Sequence, residues 1–428
     1  MSMTTVEEKY DFSAKAKKNL LITIGIGIAL TVLGIVLMST GGHHEEAAHE
    51  GGHAFSWINR LGVDIWINNI YFTGIAIVGV FFFALQYAAQ AGWSAGIKRI
   101  PLAFGSWLPI AGILMLVSFF IFGHDLFHWT HHDLYDTTSH EFDSIINAKK
   151  AYFFWPLSEH PSTPVFFIAR MLFFFGLWYY LFTKLRKLAF QEDFEGGTAS
   201  WYSMRKLSAV FLIIFAVTSS IAAWDWVMSI DTHWFSTMFG WYVFASWWVT
   251  TLALITFITI HLKEKGLLSI VNENHLHDIG KFVFAFSVFW TYIWFSQFLL
   301  IYYANIPEET IYFVERWNND QYGIIFFVNL FLNFVLPFLF LMPRDAKRHT
   351  AILKVVSPIV IFGHWIDFYL MITPGTLKEN GGYGLVEFGT MLIYGGAFLY
   401  VVLNSLSKAP LFAKNDPMLD ESLHHHVQ

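Results

Sequence analysis

The chain contains no cysteine. Disulfides, thiolate-held iron–sulfur clusters and covalently attached c-type haem are therefore excluded within this subunit. Charge is also scarce: 14% of residues are charged, against about 25% in a soluble domain. Hydrophobic residues make up 55% and aromatic residues 19%, so the solvent of this chain is lipid. The net charge of -6 is spread over loops and ends, which argues against a nucleic-acid partner. There is no Gly-rich phosphate loop followed by Lys and Ser or Thr, and no G-x-S-x-G or H-E-x-x-H. Those absences remove ATP-driven, nucleophile-elbow and zincin chemistry. A b-type haem needs paired histidines deep in facing helices. Only His364 is deep, because His124 and His261 fall at span edges.

What is present is a series of apolar runs, each of about 20 residues, the length that crosses a hydrocarbon core about 30 Å thick. Ten are predicted: 19–38, 66–91, 104–123, 164–188, 206–229, 238–261, 281–304, 321–342, 353–373 and 383–405. The first is read as a retained helix, since residues 1–18 are polar and lysine-rich and no A-x-A-like site follows it. The fold class is thus all-α and polytopic. An N-terminal segment (1–18) precedes a ten-span membrane domain (19–405), and a C-terminal tail (406–428) follows it. The loops on the side of the termini hold 20 of the 26 Lys and Arg. The opposite loops hold five: Arg60, Lys149, Lys150, Arg316 and Lys378. The positive-inside rule puts both termini in the cytoplasm and the His-rich loops 39–65 and 123–163 outside.

Ionisable residues within spans are costly and mark pairing or functional positions. His364 and Asp367 are three apart and share a helix face near mid-bilayer. Asp225 lies in the outer third of its span, Arg170 and Glu387 near the outer boundary of theirs, and Asn329 and Asn333 form an i,i+4 amide pair. One reading makes these interhelical ties, with Arg170 on a carboxylate and His364 on a neighbour. The other makes His124, Asp125, Asp225, His364, Asp367 and Glu387 a proton path, because they gather between the midplane and the outer face. A quinol pocket around Arg170, Asp225 and Trp224 is a third expectation, since Trp224 opens the aromatic segment 224–248. Most other Trp and Tyr are expected in interfacial belts.

The stretch GHDLFHWTHHDLYD, 123–136, leaves the membrane where the third span ends. Its spacing shows no convergence of three or four ligands. It reads as an exit and a docking surface, with no metal assigned. The loop GGHHEEAAHEGGH, 41–53, and the histidines at 424–426 are expected to be solvated. The stretches SFFIFGHDLFHW, SIAAWDWVMS and SPIVIFGHWIDFY hint at a repeat that keeps the same direction in spans three, five and nine.

These motifs, with KKAYFFWP, PVFFIAR and above all WDWVMSIDTHWFSTMFGWY, resemble the NrfD/polysulfide-reductase-like membrane subunits. Over nearly its whole length the chain is similar to the shorter of the two such subunits of alternative complex III. The resemblance implies two four-helix bundles plus two further helices in a bacterial inner membrane. It implies membership of a respiratory quinol:cytochrome c or oxidase oxidoreductase complex. It also implies these partners: a longer homologous membrane subunit, an iron–sulfur protein, haem c subunits, lipid and a terminal oxidase. Haem c and iron–sulfur clusters belong to those partners. This chain alone would bind no cofactor, with menaquinol or ubiquinol as its candidate ligand. The competing reading is a freestanding secondary transporter or ion channel using the same polar residues. The sequence shows neither the broken helices nor the inverted repeat that such transporters often carry.

Overall fold

A computed structural model describes residues 8–40, 56–159, 161–195 and 197–426; the His-rich loop at 41–53 lies outside them. Among the described residues, ten helices are long and apolar enough to cross a membrane. They are α1 (Ala14–Thr40), α2 (Trp57–Ala88), α3 (Arg99–Leu126), α4 (Val165–Gln191) and α5 (Ala199–Ile230), then α6 (Phe239–Glu264), α7 (Glu273–Ala304), α8 (Gly323–Leu341), α9 (Thr350–Asn380) and α10 (Leu385–Leu406). All ten expected spans are present. Several helices run past the apolar window, because their polar ends stay helical beyond the hydrocarbon. The N-terminus of α7 is extended in this way by an Asn272 capping box.

The helices pack as two rings of four. In the first, α2 meets α3 and α5, and α4 meets the same two; in the second, α6 meets α7 and α9, and α8 meets the same two. The ring order is the same in both, as a repeat in one direction requires. Helices α2 and α6 sit at the junction of the rings, and the apolar windows of both are 89% buried. They therefore carry polar residues inside protein. The remaining pair, α1 and α10, packs mainly on itself. Gly27 faces Gly389 so closely that a Cβ on Gly27 would lie 2.7 Å from the Gly389 carbonyl. This is the small-residue crossing by which membrane helices approach.

Both termini lie on one face, where the Leu411 amide donates to the Glu8 carbonyl at 2.8 Å. The tail is not solvated as expected. Leu411, Phe412, Ala413 and Leu419 are buried. His425 Nε2 lies 2.7 Å from Asp278 Oδ2, and the His425 carbonyl accepts from Asn272 and Asn274. Of the terminal histidines, His424 and His426 are exposed as expected, and His425 is half-buried. The short helix Leu419–Leu423 packs on the turn Gly92–Gly96 that follows α2, and Ser422 and His425 bond to His275 and Asp278 at the start of α7.

The aromatic expectation is corrected as well. Seven Trp are fully buried: Trp66, Trp129, Trp178, Trp226, Trp247, Trp290 and Trp365. Five find interior acceptors, Trp66 on the Trp226 carbonyl, Trp129 on Ser229, Trp178 on Thr218, Trp290 on Asp367 and Trp365 on Asn68. An indole whose N–H is satisfied inside the bundle gains nothing from a belt position.

Candidate functional site

Helix α9 carries the pattern G-H-W-I-D across the middle of the second ring. His364 and Asp367 are both fully buried, with His364 Nδ1 3.9 Å from Asp367 Oδ2. Three neighbouring helices supply donors to the carboxylate. The Tyr242 hydroxyl of α6 makes a short bond to Oδ1. Asn329 of α8 gives its amide to the same oxygen at 3.0 Å, and Trp290 of α7 gives its indole N–H to Oδ2 at 2.9 Å. No Lys or Arg pairs with Asp367 among the described residues. His364 Nδ1 lies 3.0 Å from Ser246 Oγ, while Nε2 is buried without a partner.

Helix α8 is distorted where it meets this cluster. Residues Phe331–Val335 form a π-helical turn, a feature that often marks functional sites. The turn turns Asn333 toward Asn329, whose Oδ1 accepts from Asn333 Nδ2 at 2.6 Å. Gly363 makes room for it, since a Cβ there would meet Asn333 Oδ1 at 2.3 Å. The amide pair expected from sequence is therefore formed. It extends the cluster by one residue along α8.

Tyr242 and Asn329 also line a cleft that leads away from Asp367, toward Gln297, Tyr312 and Arg316. Its interior leaves about 20 Å³ to a water-sized sphere, room for about one water. Arg316 closes the far end from the short helix Pro307–Trp317. Its guanidinium binds Asp231 Oδ2 at 2.9 Å and the carbonyls of Leu370, Met371 and Tyr312. It lies 3.4 Å from the Tyr312 ring centroid. Burial lowers the proton affinity of Arg316, but Tyr312 and Asp231 outweigh it and hold the group above its ordinary pKa. Burial, reinforced by Asp231, raises the neighbouring Glu315 carboxyl.

The other sequence candidates lie elsewhere. Arg170 of α4 makes a two-pronged ion pair with Asp225 of α5, Nε to Oδ2 at 2.7 Å and Nη2 to Oδ1 at 2.9 Å. The guanidinium is packed between the rings of Tyr152 and Phe166, at 4.2 and 4.5 Å. Both Asp225 oxygens are thus occupied, and Trp224 beside it has a buried indole nitrogen without a partner. Glu387 caps the start of α10 through the Gly384 amide at 2.7 Å and pairs with Arg60 at 2.5 Å. These two carboxylates are interhelical ties. His124 and Asp125 are exposed at the end of α3. The His124 ring stacks on His131 at 4.0 Å, and His131 Nε2 meets the His124 carbonyl. In the opening stretch Phe127, Trp129 and Leu134 face inward while His128, His132 and Asp133 face out. Among the described residues no three metal-ligating side chains converge.

Sequence reasoning missed several participants. Tyr242 and Trp290 were hidden in aromatic runs, and Ser246 is an ordinary small helix residue. Asp64, buried with Oδ2 unpartnered, lies two residues before the expected start of its span. Asn68 and Asn69 sit just inside that span. They tie α2 to Thr390 and Trp365, and to Ser118 and Tyr394. A polar stripe of Asp64, Asn68 and Asn69 at i,i+4,i+5 was the available signal. No protein-family model matches the chain, and no curated protein does.

Proposed function

We propose that this chain is a membrane subunit of a respiratory quinol-oxidising complex of the NrfD-like class, and that its own chemistry is proton transfer through the second ring. The observation that carries this reading is Asp367, a buried carboxylate held by Tyr242, Asn329 and Trp290 with no Lys or Arg partner among the described residues. A carboxylate kept only for packing is normally paired with a cation, as Asp225 and Glu387 are. Tyr242 donates its hydroxyl to Asp367 and is also one of the residues lining the cleft toward Arg316. It is therefore the natural exchange point between the carboxylate and a water. His364, with one ring nitrogen unpartnered, supplies a second proton-accepting group on the same helix face. Quinol chemistry is assigned to a partner subunit rather than to Arg170 and Asp225, because their polar atoms are spent on each other.

Two measurements test it. Gentle extraction from the native membrane should bring haem c absorbance and iron–sulfur resonances along with the chain. In the reconstituted assembly Asp367→Asn should leave assembly intact and slow proton movement at least tenfold, in line with the removal of one acid–base group. Undiminished proton movement in that variant would overturn the proton-transfer role.

A second reading, a freestanding transporter, draws support from the π turn at Phe331–Val335, because irregular spans line many transport sites. It requires the chain to purify alone and to exchange a solute across vesicles without added partners.

A further inference from the structure

Helix α4 reaches the face of the termini through the residues TKLRKLAFQ, 183–191. Arg186 stands there between two clefts. One, a shallow depression of about 390 Å³ open to the surroundings, is lined by Thr183, Arg186, Lys187, Phe190, Gln191 and Phe194. The other lies between Arg186, Phe190 and the turn at Ala409 and Pro410. The Arg186 guanidinium packs over the rings of Phe182 and Phe190, at 5.9 and 5.2 Å. The nearby acids are engaged elsewhere: Asp193 with Arg99 at 2.5 Å, Glu192 with Tyr87 and Glu195 with Ser200. Arg186 and Lys187 thus present two positive charges without a carboxylate partner among the described residues. Phe194 is 89% exposed beside them.

The helix surface below is shaped for a chain. Phe173, Gly176, Tyr180 and Lys187 recur at helical spacing on one outward face. Phe173 and Tyr180 are 60% and 56% exposed, and a Cβ on Gly176 would meet nothing within 4 Å. From Lys187 to Phe173 this strip runs about 21 Å at 1.5 Å per residue, longer than the half-thickness of a hydrocarbon core, about 15 Å. A cation pair at the head of an apolar strip matches a molecule with an anionic head and an apolar tail.

We propose that this cleft binds an anionic phospholipid, its phosphate between Arg186 and Lys187 and one acyl chain along Tyr180, Gly176 and Phe173. A free phosphate would use the two charges and leave the strip idle. Loops rich in Lys and Arg mark this face as the one meeting the anionic leaflet.

Native mass spectrometry of the full chain with its co-purifying partners, titrated with phosphatidylglycerol, phosphatidylcholine or inorganic phosphate, tests the site. Phosphatidylglycerol should bind more tightly than phosphatidylcholine. Arg186→Gln should weaken it about 5-fold and the double variant with Lys187→Gln about 25-fold, the factor expected per interfacial cation. Lys354→Gln, which breaks only the exposed pair with Glu264, should change nothing. Gly176→Phe fills the strip without touching either charge and should also weaken phosphatidylglycerol. Equal binding of the two lipids, or unchanged binding in the double variant and in Gly176→Phe, would overturn the proposal. Displacement of the lipid by inorganic phosphate at similar concentration would reassign the cleft to a free anion and overturn it too.

Discussion

Asn329 donates its side-chain amide to Asp367 across the second ring at 3.0 Å, in the place where Arg170 grips Asp225 across the first. In both rings the third helix holds a carboxylate of the fourth. A cation does so in one ring and a neutral amide in the other. In the proposed function, that single difference separates a structural tie from the carboxylate that exchanges a proton.

Tyr242→Phe removes the hydroxyl that donates to Asp367 and keeps the ring that lines the cleft. Interhelical hydrogen bonds in membranes average about 0.6 kcal/mol and reach about 1.7. Thermal stability should therefore fall by no more than a few degrees, while proton movement in reconstituted complex drops to the level of Asp367→Asn. Normal proton movement with Tyr242→Phe would place the exchange point elsewhere.

The Arg170–Asp225 pair is predicted to be structural. Arg170→Ala strands a buried carboxylate and should cost about 3–5 kcal/mol, read as a lowered melting temperature in detergent. Replacing both partners with Met and Leu should recover most of that loss. Quinol turnover of the assembly should then be normal; its loss in a stable double variant would return these residues to the quinol site.

Glu192, just past the end of α4, is buried against Asp416, Lys98, Tyr87 and Arg99. Burial first, and then the Asp416 carboxylate, push its pKa up to about 7 from 4.5. The folded chain therefore holds this proton between those values when the unfolded chain has released it. The linkage sign makes stability fall as pH rises from 4.5 to about 7 and stay level above. Glu192→Gln should flatten that slope and raise stability at pH 8 by up to about 3 kcal/mol. A melting profile with an unchanged slope would show that another group carries the titration.

Deleting residues 411–428 should uncover Trp93, His275 and Asp278, which the tail covers through Ser422 and His425. Amide exchange at the start of α7 should speed up, while exchange around Asp367 stays unchanged. Uniform acceleration throughout would mean that the tail holds the whole bundle rather than one corner.

The apolar runs by themselves determined the ten spans, because a hydrocarbon core demands about 20 residues per crossing whatever lies beside them. Lys and Arg counts give the expected direction. The three-residue spacing of His364 and Asp367 placed them on one face, since helical geometry is local. Tertiary structure alone decided which buried charges cancel. Arg60 and Glu387 are 327 residues apart in the chain and Arg170 and Asp225 are 55 apart, so no periodicity links them. It also decided that Tyr242 and Trp290, indistinguishable in sequence from other aromatics, point their polar ends at Asp367. Hydrophobicity is a property each residue carries alone, but neutralisation and hydrogen bonding belong to pairs, and pairs form only when helices meet.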